Sequence, residues 1–302
     1  MNNHLTAQFE EHRGLMFSIA YRMLGSASEA EDILQEAYLR YCEVDPETIR
    51  SPKAFLSTIV TRLCLNQLQA SKRQREVYIG PWLPEPLLTS TEEQQTPAQK
   101  LELNETLSLA FLMLLEDLTP TERAVFLLRE VFDYEYSEIT EIVGRDEAAC
   151  RQLLSRAKKH ISERRPRFKP TREAHREMLE KFIQAIDAGE LSGLMQLLAN
   201  DVTLWADGGG KTRGALLEPL SGSEAVARFL KVSPRFRAES LRTEFAEINR
   251  EPAVIIWADS EVAVVITIEF EQDLIHEIRV VGNPDKLKWV HQSIEANEGK
   301  LT

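Results

Sequence analysis

Pro81, Pro84, Pro86 and Pro97 fall within residues 76–100, where they interrupt a helix-period pattern of apolar residues that runs up to them and resumes beyond. Each proline lacks a backbone N–H and fixes φ, so no regular helix carries through the stretch. The spacing predicts one compact helical domain over residues 5–75, a linker with an apolar centre over 76–100, and a second helical domain over 101–165. The basic, proline-containing run RRPRFKP at 164–170 marks another joint. Beyond it a helix is expected from Thr171 with Met178, Leu179, Phe182, Ile183 and Ile186 inward. Strand-like runs rich in Val, Ile and Thr follow at 200–206, 241–249, 253–259, 262–270 and 274–281, so residues 171–290 read as an α+β domain of mostly antiparallel strands. A chain of 302 residues has room for these domains.

The longest apolar stretches are too short for a membrane span, which needs about 20 helical residues. The first residues, MNNHLTAQFEEHRG, lack the basic-then-apolar pattern of a secretory signal. Cys42, Cys64 and Cys150 are isolated and odd in number, which fits a reducing cytoplasm and argues against a thiolate metal site. The net charge of −12 argues against coating nucleic acid by bulk electrostatics. Its distribution is uneven, however. Residues 51–75 carry Lys53, Arg62, Lys72, Arg73 and Arg75 with no acid, and residues 145–169 are strongly basic. On charge alone, two solvated helix faces account for these islands equally well.

Residues 136–161, YSEITEIVGRDEAACRQLLSRAKKHI, describe a helix-turn-helix: Ile139, Ile142 and Val143 inward, a turn at Gly144, and a second helix entered through Asp146. In that second helix Cys150, Leu153, Leu154, Ala157 and Ile161 make one buried stripe. The opposite face holds Arg151, Gln152, Ser155, Arg156 and Lys159, donors suited to base edges and phosphates in a major groove. A plain helical hairpin with a basic face is the bland alternative. Earlier in the chain, Ser28 and Glu31 read as a capping box opening a helix to about Tyr41. Ala30, Ile33, Leu34, Ala37 and Tyr41 turn inward there and leave Glu29, Asp32, Gln35 and Glu36 on an acidic strip, which on charge alone reads better as a solvated helix face.

The run AEDILQEAYLR resembles the core-polymerase-binding helix of bacterial sigma factors, SPKAFLSTIVTRLCLNQLQASKRQRE their minus-ten-reading helix, and residues 118–161 their minus-thirty-five-reading domain. In that order they resemble an extracytoplasmic-function (ECF) sigma factor. The resemblance implies core RNA polymerase and promoter DNA as partners, with Asp32, Gln35 and Glu36 on the polymerase and Arg62, Arg151, Gln152, Ser155, Arg156 and Lys159 on DNA. Many family members carry Trp where Phe55 stands, and Asn and Asp where Arg62 and Asn66 stand, which leaves the minus-ten preference open.

The C-terminal region is similar to the SnoaL-like, cone-shaped α+β domain that extends a subgroup of these factors. Its marks are Trp82-Leu83-Pro84-Glu85-Pro86 in the linker, Asp207-Gly208-Gly209-Gly210-Lys211 after the first strand, and Asn283-Pro284-Asp285-Lys286-Leu287 after the last. The resemblance implies a built-in regulator that contacts the sigma domains and replaces a separate anti-sigma factor. Trp82 and Leu83 read as apolar anchors on a stiffened segment, and Lys211 as a partner for Glu85. Relatives of this fold include acid–base catalysts, yet Asp207, Asp259, Glu269 and His276 show no spacing that pairs an acid with a base. The reading is therefore a cytoplasmic, non-enzymatic initiation factor with no cofactor, metal site or membrane contact.

Overall fold

A computed structural model describes residues 2–89, 105–164, 170–212, 215–233 and 241–298. They fall into two compact units. The first joins the chain up to Glu76 with the second helical stretch; the second joins residues 77–89 with everything from Pro170 onward.

In the first unit, α1 (Asn2–Leu24) stops at Gly25, whose φ of 68° is the left-handed value a helix terminus favours. Ser26 then adopts an extended conformation and its side chain accepts the Glu29 N–H, which starts α2 (Ala27–Cys42). The cap is thus Ser26 and not Ser28, because α2 begins two residues earlier than the acidic pattern suggests. After a 3₁₀ turn at Pro46–Thr48 comes α3 (Pro52–Glu76). Tyr21, Leu24, Leu34, Tyr41, Leu56 and Val60 are buried among these three helices.

The second helical stretch holds α4 (Leu109–Glu116), α5 (Pro120–Phe126), a π turn at Leu127–Val131, α6 (Tyr136–Val143) and α7 (Glu147–Arg164). Thr119 and Glu122 cap α5 reciprocally and Pro120 occupies its first turn. The described residues of the two helical stretches pack into one compact unit. Buried polar side chains cross between them. Arg123 Nη1 donates to Met23 O at 2.6 Å and Glu116 at 2.8 Å, and burial lowers its pKa to about 10. Ser57 and Tyr134 share a buried hydroxyl contact at 2.5 Å, with the Lys53 ammonium over the Tyr134 ring.

In the second unit, α8 (Arg172–Ala188) starts on the Thr171 cap and ends at Gly189 in the left-handed region. Then follow α9 (Leu191–Leu197), β1 (Leu198–Asp207), β2 (Leu220–Ser221), α10 (Ser223–Val232), β3 (Leu241–Ile248), β4 (Glu251–Ala258), β5 (Glu261–Glu271), β6 (Leu274–Val281) and α11 (Pro284–Glu298). The sheet order is β2-β1-β6-β5-β4-β3, with β1 and β6 parallel and every other pair antiparallel. Asn249–Arg250 and Gln272–Asp273 take positive φ, the pattern of the tight turns that match strand twist in hairpins. One sheet face, with Leu204, Ala206, Ile266, Ile278 and Val280, closes a core with Phe182, Val226 and Leu230 from the helices. Alternation puts Trp205 and Asp207 on the other face.

Candidate functional site

Asp207 ends β1 fully buried, and four donors converge on its carboxylate. Tyr78 OH reaches Oδ1 at 2.5 Å and Gly209 N at 3.0 Å; Leu83 N reaches Oδ2 at 2.9 Å and Lys286 Nζ at 2.7 Å. A carboxylate offers about four lone-pair sites, so this one is saturated. Lys286, also buried, donates to Leu83 O at 2.5 Å and lies over the rings of Trp82 at 4.1 Å and Tyr78 at 4.9 Å. One ammonium is therefore held by a carboxylate, a carbonyl and two aromatic faces. Burial, then the neighbouring Asp207, pushes the Tyr78 phenol well above its ordinary pKa, which keeps it a donor.

The three segments singled out in the sequence meet here. Asn283 Nδ2 donates to Tyr78 OH at 2.9 Å, while its Oδ1 accepts Asp285 N at 3.1 Å and its backbone carbonyl accepts Leu287 N at 3.2 Å. Asn283 thus opens α11 with Pro284 at its first position, and the first turn delivers Lys286 and Leu287 inward while Asp285 faces water. Gly208 is buried; a Cβ on Gly209, which has φ 56°, would strike the Asn283 side chain, and one on Gly210 would strike Ile79. Lys211 does not reach Glu85. Its ammonium pairs with the exposed Asp285 on α11, whereas Glu85 is 7% exposed and stays inside.

Residues 77–89 form a strap over this unit rather than a free linker. Pro81, Leu83, Pro84, Glu85, Pro86 and Leu87 are buried without belonging to a helix or strand. A buried irregular segment must satisfy its backbone donors. The prolines remove three, Asp207 takes Leu83 N, and Asn249 Oδ1 takes Leu87 N at 2.8 Å. Asn249 N returns a bond to Leu87 O at 2.8 Å, and Thr89 N reaches Glu247 O at 2.9 Å, so the strap's end adds to the β3 margin. Tyr78 and Asn249 were missed in the sequence. Tyr78 lies one helical turn's length before Trp82 in a stretch with no period to flag it, and Asn249 has the signal of a turn residue only.

In the first unit, Asp32, Gln35 and Glu36 are exposed on α2, with Glu36 paired to Arg40 at 2.5 Å. Gln152, Ser155, Arg156 and Lys159 are exposed on α7; Arg151 is exposed too but bonded to Glu147 and stacked over Tyr136 at 4.2 Å. Arg62, expected as a DNA-facing cation, is exposed on α3 and bonded within the unit. Its Nε donates to Ile142 O at 3.1 Å and Nη2 to Glu141 O at 2.7 Å, the carbonyls that α6 leaves open at its C-terminus. The candidate catalytic groups are scattered: Asp207 in the strap site, Asp259 in the β4–β5 turn, Glu269 on Arg279, and His276 3.7 Å from Asp201.

A capped helix-turn-helix with an exposed cationic face, packed with an acidic helix and followed by an α+β unit, defines a DNA-binding transcription protein with a fused C-terminal domain. Residues 8–74 match the model of Sigma-70 region 2 and residues 108–161 that of Sigma-70, region 4. The ECF RNA polymerase sigma factor SigJ of Mycobacterium tuberculosis is 37% identical over 225 residues, 74% of this chain and 71% of that one. The probable ECF sigma factor SigI of the same organism is 28% identical over 94% of each chain. The crystal structure of SigJ covers 93% of this chain and 97% of its own, with 31% identity and a TM-score of 0.72. The chain belongs to the ECF sigma factors, which direct transcription initiation. No helix among the described residues is long and apolar enough to cross a membrane.

Proposed function

We propose that this sigma factor binds core RNA polymerase through Asp32, Gln35 and Glu36, reads the upstream promoter element through Gln152, Ser155, Arg156 and Lys159 with Arg151 beside them, and is modulated in cis by its C-terminal unit. The observation that carries the modulation is the buried Asp207–Lys286 pair. It ties residues 77–89, the chain that connects the two promoter-reading stretches, to the C-terminal sheet. Any change in that tie alters how the two stretches are connected, so regulation needs neither turnover of a substrate nor a separate anti-sigma factor. The chain works in the cytoplasm, where polymerase and promoter are.

Promoter-dependent transcription with purified core polymerase tests this. Charge reversal at Asp32 and Glu36 is expected to weaken association with the core while leaving the helix folded, since both side chains are exposed. Trp82→Ala and Asp207→Ala are expected to change promoter-dependent output. Wild-type association and output from all these variants would refute the reading.

A further inference from the structure

Resting on the promoter-reading role proposed above, we infer that the C-terminal unit sets the distance between the two promoter elements that the factor accepts, by holding residues 77–89 out of the free connection. Helix α3 ends at Glu76 and the first bond of the strap is made by Tyr78, so Val77 alone separates them in sequence. The strap's other end is fixed by Thr89, whose N–H reaches Glu247 O at 2.9 Å and whose hydroxyl accepts Arg250 N at 3.0 Å. Between these ends Leu83 and Leu87 are tied to Asp207 and Asn249.

Covalent geometry turns this into lengths. From Thr89 to Glu105, about 16 residue steps can span at most ~55 Å, whereas from Glu76 to Glu105, about 29 steps can span ~100 Å. The held strap therefore turns ~45 Å of that contour from flexible chain into a piece of fixed length. Each added base pair lengthens the promoter spacer by about 3.4 Å and turns one element by roughly 35° relative to the other. A connection with its strap fixed at both ends tolerates few such steps; one with the strap freed absorbs several. The prolines keep the strap extended, so little chain entropy opposes the bound form. On this view Asp207, Lys286, Tyr78 and Asn249 determine specificity for spacing without touching DNA.

The test uses the full-length chain and core polymerase on a promoter series whose spacer is shortened or lengthened by one to three base pairs. Wild type is expected to lose roughly tenfold in output two base pairs from its optimum, while Lys286→Met and the milder Tyr78→Phe, each normalised to its own optimum, lose about threefold or less. Hydrogen exchange at the Leu83 and Leu87 amides reports in parallel whether the strap is free, and faster exchange is expected in both variants. Faster exchange with an unchanged spacing profile overturns the inference. Loss of output at every spacing also overturns it, because the strap would then serve assembly. Amides that stay protected overturn the assignment of the hold to these side chains. Absence of promoter-directed transcription from the wild type defeats instead the promoter-reading role on which the inference rests.

Discussion

Asp207 is an acid whose burial is made tolerable by four donors, one of them a cation. Removing one partner of a buried ion pair leaves the other charge stranded, at about 3–5 kcal/mol. Asp207→Ala is therefore expected to destabilise the chain by about that amount, with Lys286→Met less costly because the donors from Tyr78, Leu83 and Gly209 remain on Asp207. Denaturant unfolding followed by tryptophan fluorescence checks the order of the two. His175 offers a second test at this scale. It is buried on α8 edge-on to the Phe270 ring; Ile268, Glu269 and Arg279 also face it, and desolvation lowers its pKa below the ordinary histidine value. A lowered histidine pKa means that the unfolded chain binds the proton first, so its contribution is present above about pH 6.5 and is lost as pH falls through the folded-state value. Stability of the C-terminal unit is expected to decline from pH 7 towards pH 5, and His175→Gln to flatten that slope. Parallel pH profiles of the two proteins would contradict it.

At the scale of elements, α7 carries its buried stripe and its exposed donors on opposite faces, as the 3.6-residue period requires. Arg156→Ala is expected to cost about 1–3 kcal/mol and relax preference at one base if the guanidinium reads a base edge, or to lower the salt slope by about 1 if it holds a phosphate. Footprinting across a salt series separates the two, and a response to neither sinks the assignment. This element was legible in the sequence because its signals are local: Gly144 takes the left-handed conformation and the Asp146 side chain accepts Ala149 N at 2.8 Å. The strap was not, because its bonds join positions such as 83 with 207 and 87 with 249, which no periodicity relates. The three motifs around the strap site stood out as sequence, but choosing Lys286 over Lys211 as the buried cation required the register of α11. That helix starts at Pro284 and turns its third residue inward. Arg62 shows the same limit. A basic residue on a basic helix reads equally as a phosphate contact or a surface residue, and only the packing of α3 against α6 reveals its bonds to two open carbonyls.

At the scale of the whole molecule, the first unit joins the helices proposed above to read two separate promoter elements. Elements named for positions minus ten and minus thirty-five are about 25 base pairs apart, or ~85 Å of duplex. Yet α3 and α6 sit within hydrogen-bond distance through Arg62, and Arg123 ties α5 to the end of α1. Promoter engagement is therefore expected to separate the two helical stretches and release the Arg62, Tyr134 and Arg123 contacts that join them. Energy transfer between dyes on exposed Gln69 of α3 and exposed Lys158 of α7 is expected to be high in the free chain and to fall nearly to background on promoter-bound polymerase. Arg62→Met, which removes two bonds to α6 while keeping the stem, is expected to lower transfer in the free chain at once, because the closed form loses its hold on the α6 carbonyls. Transfer that stays high on the promoter would mean that the packed unit binds as it is, and that only one of its two helical stretches reaches DNA.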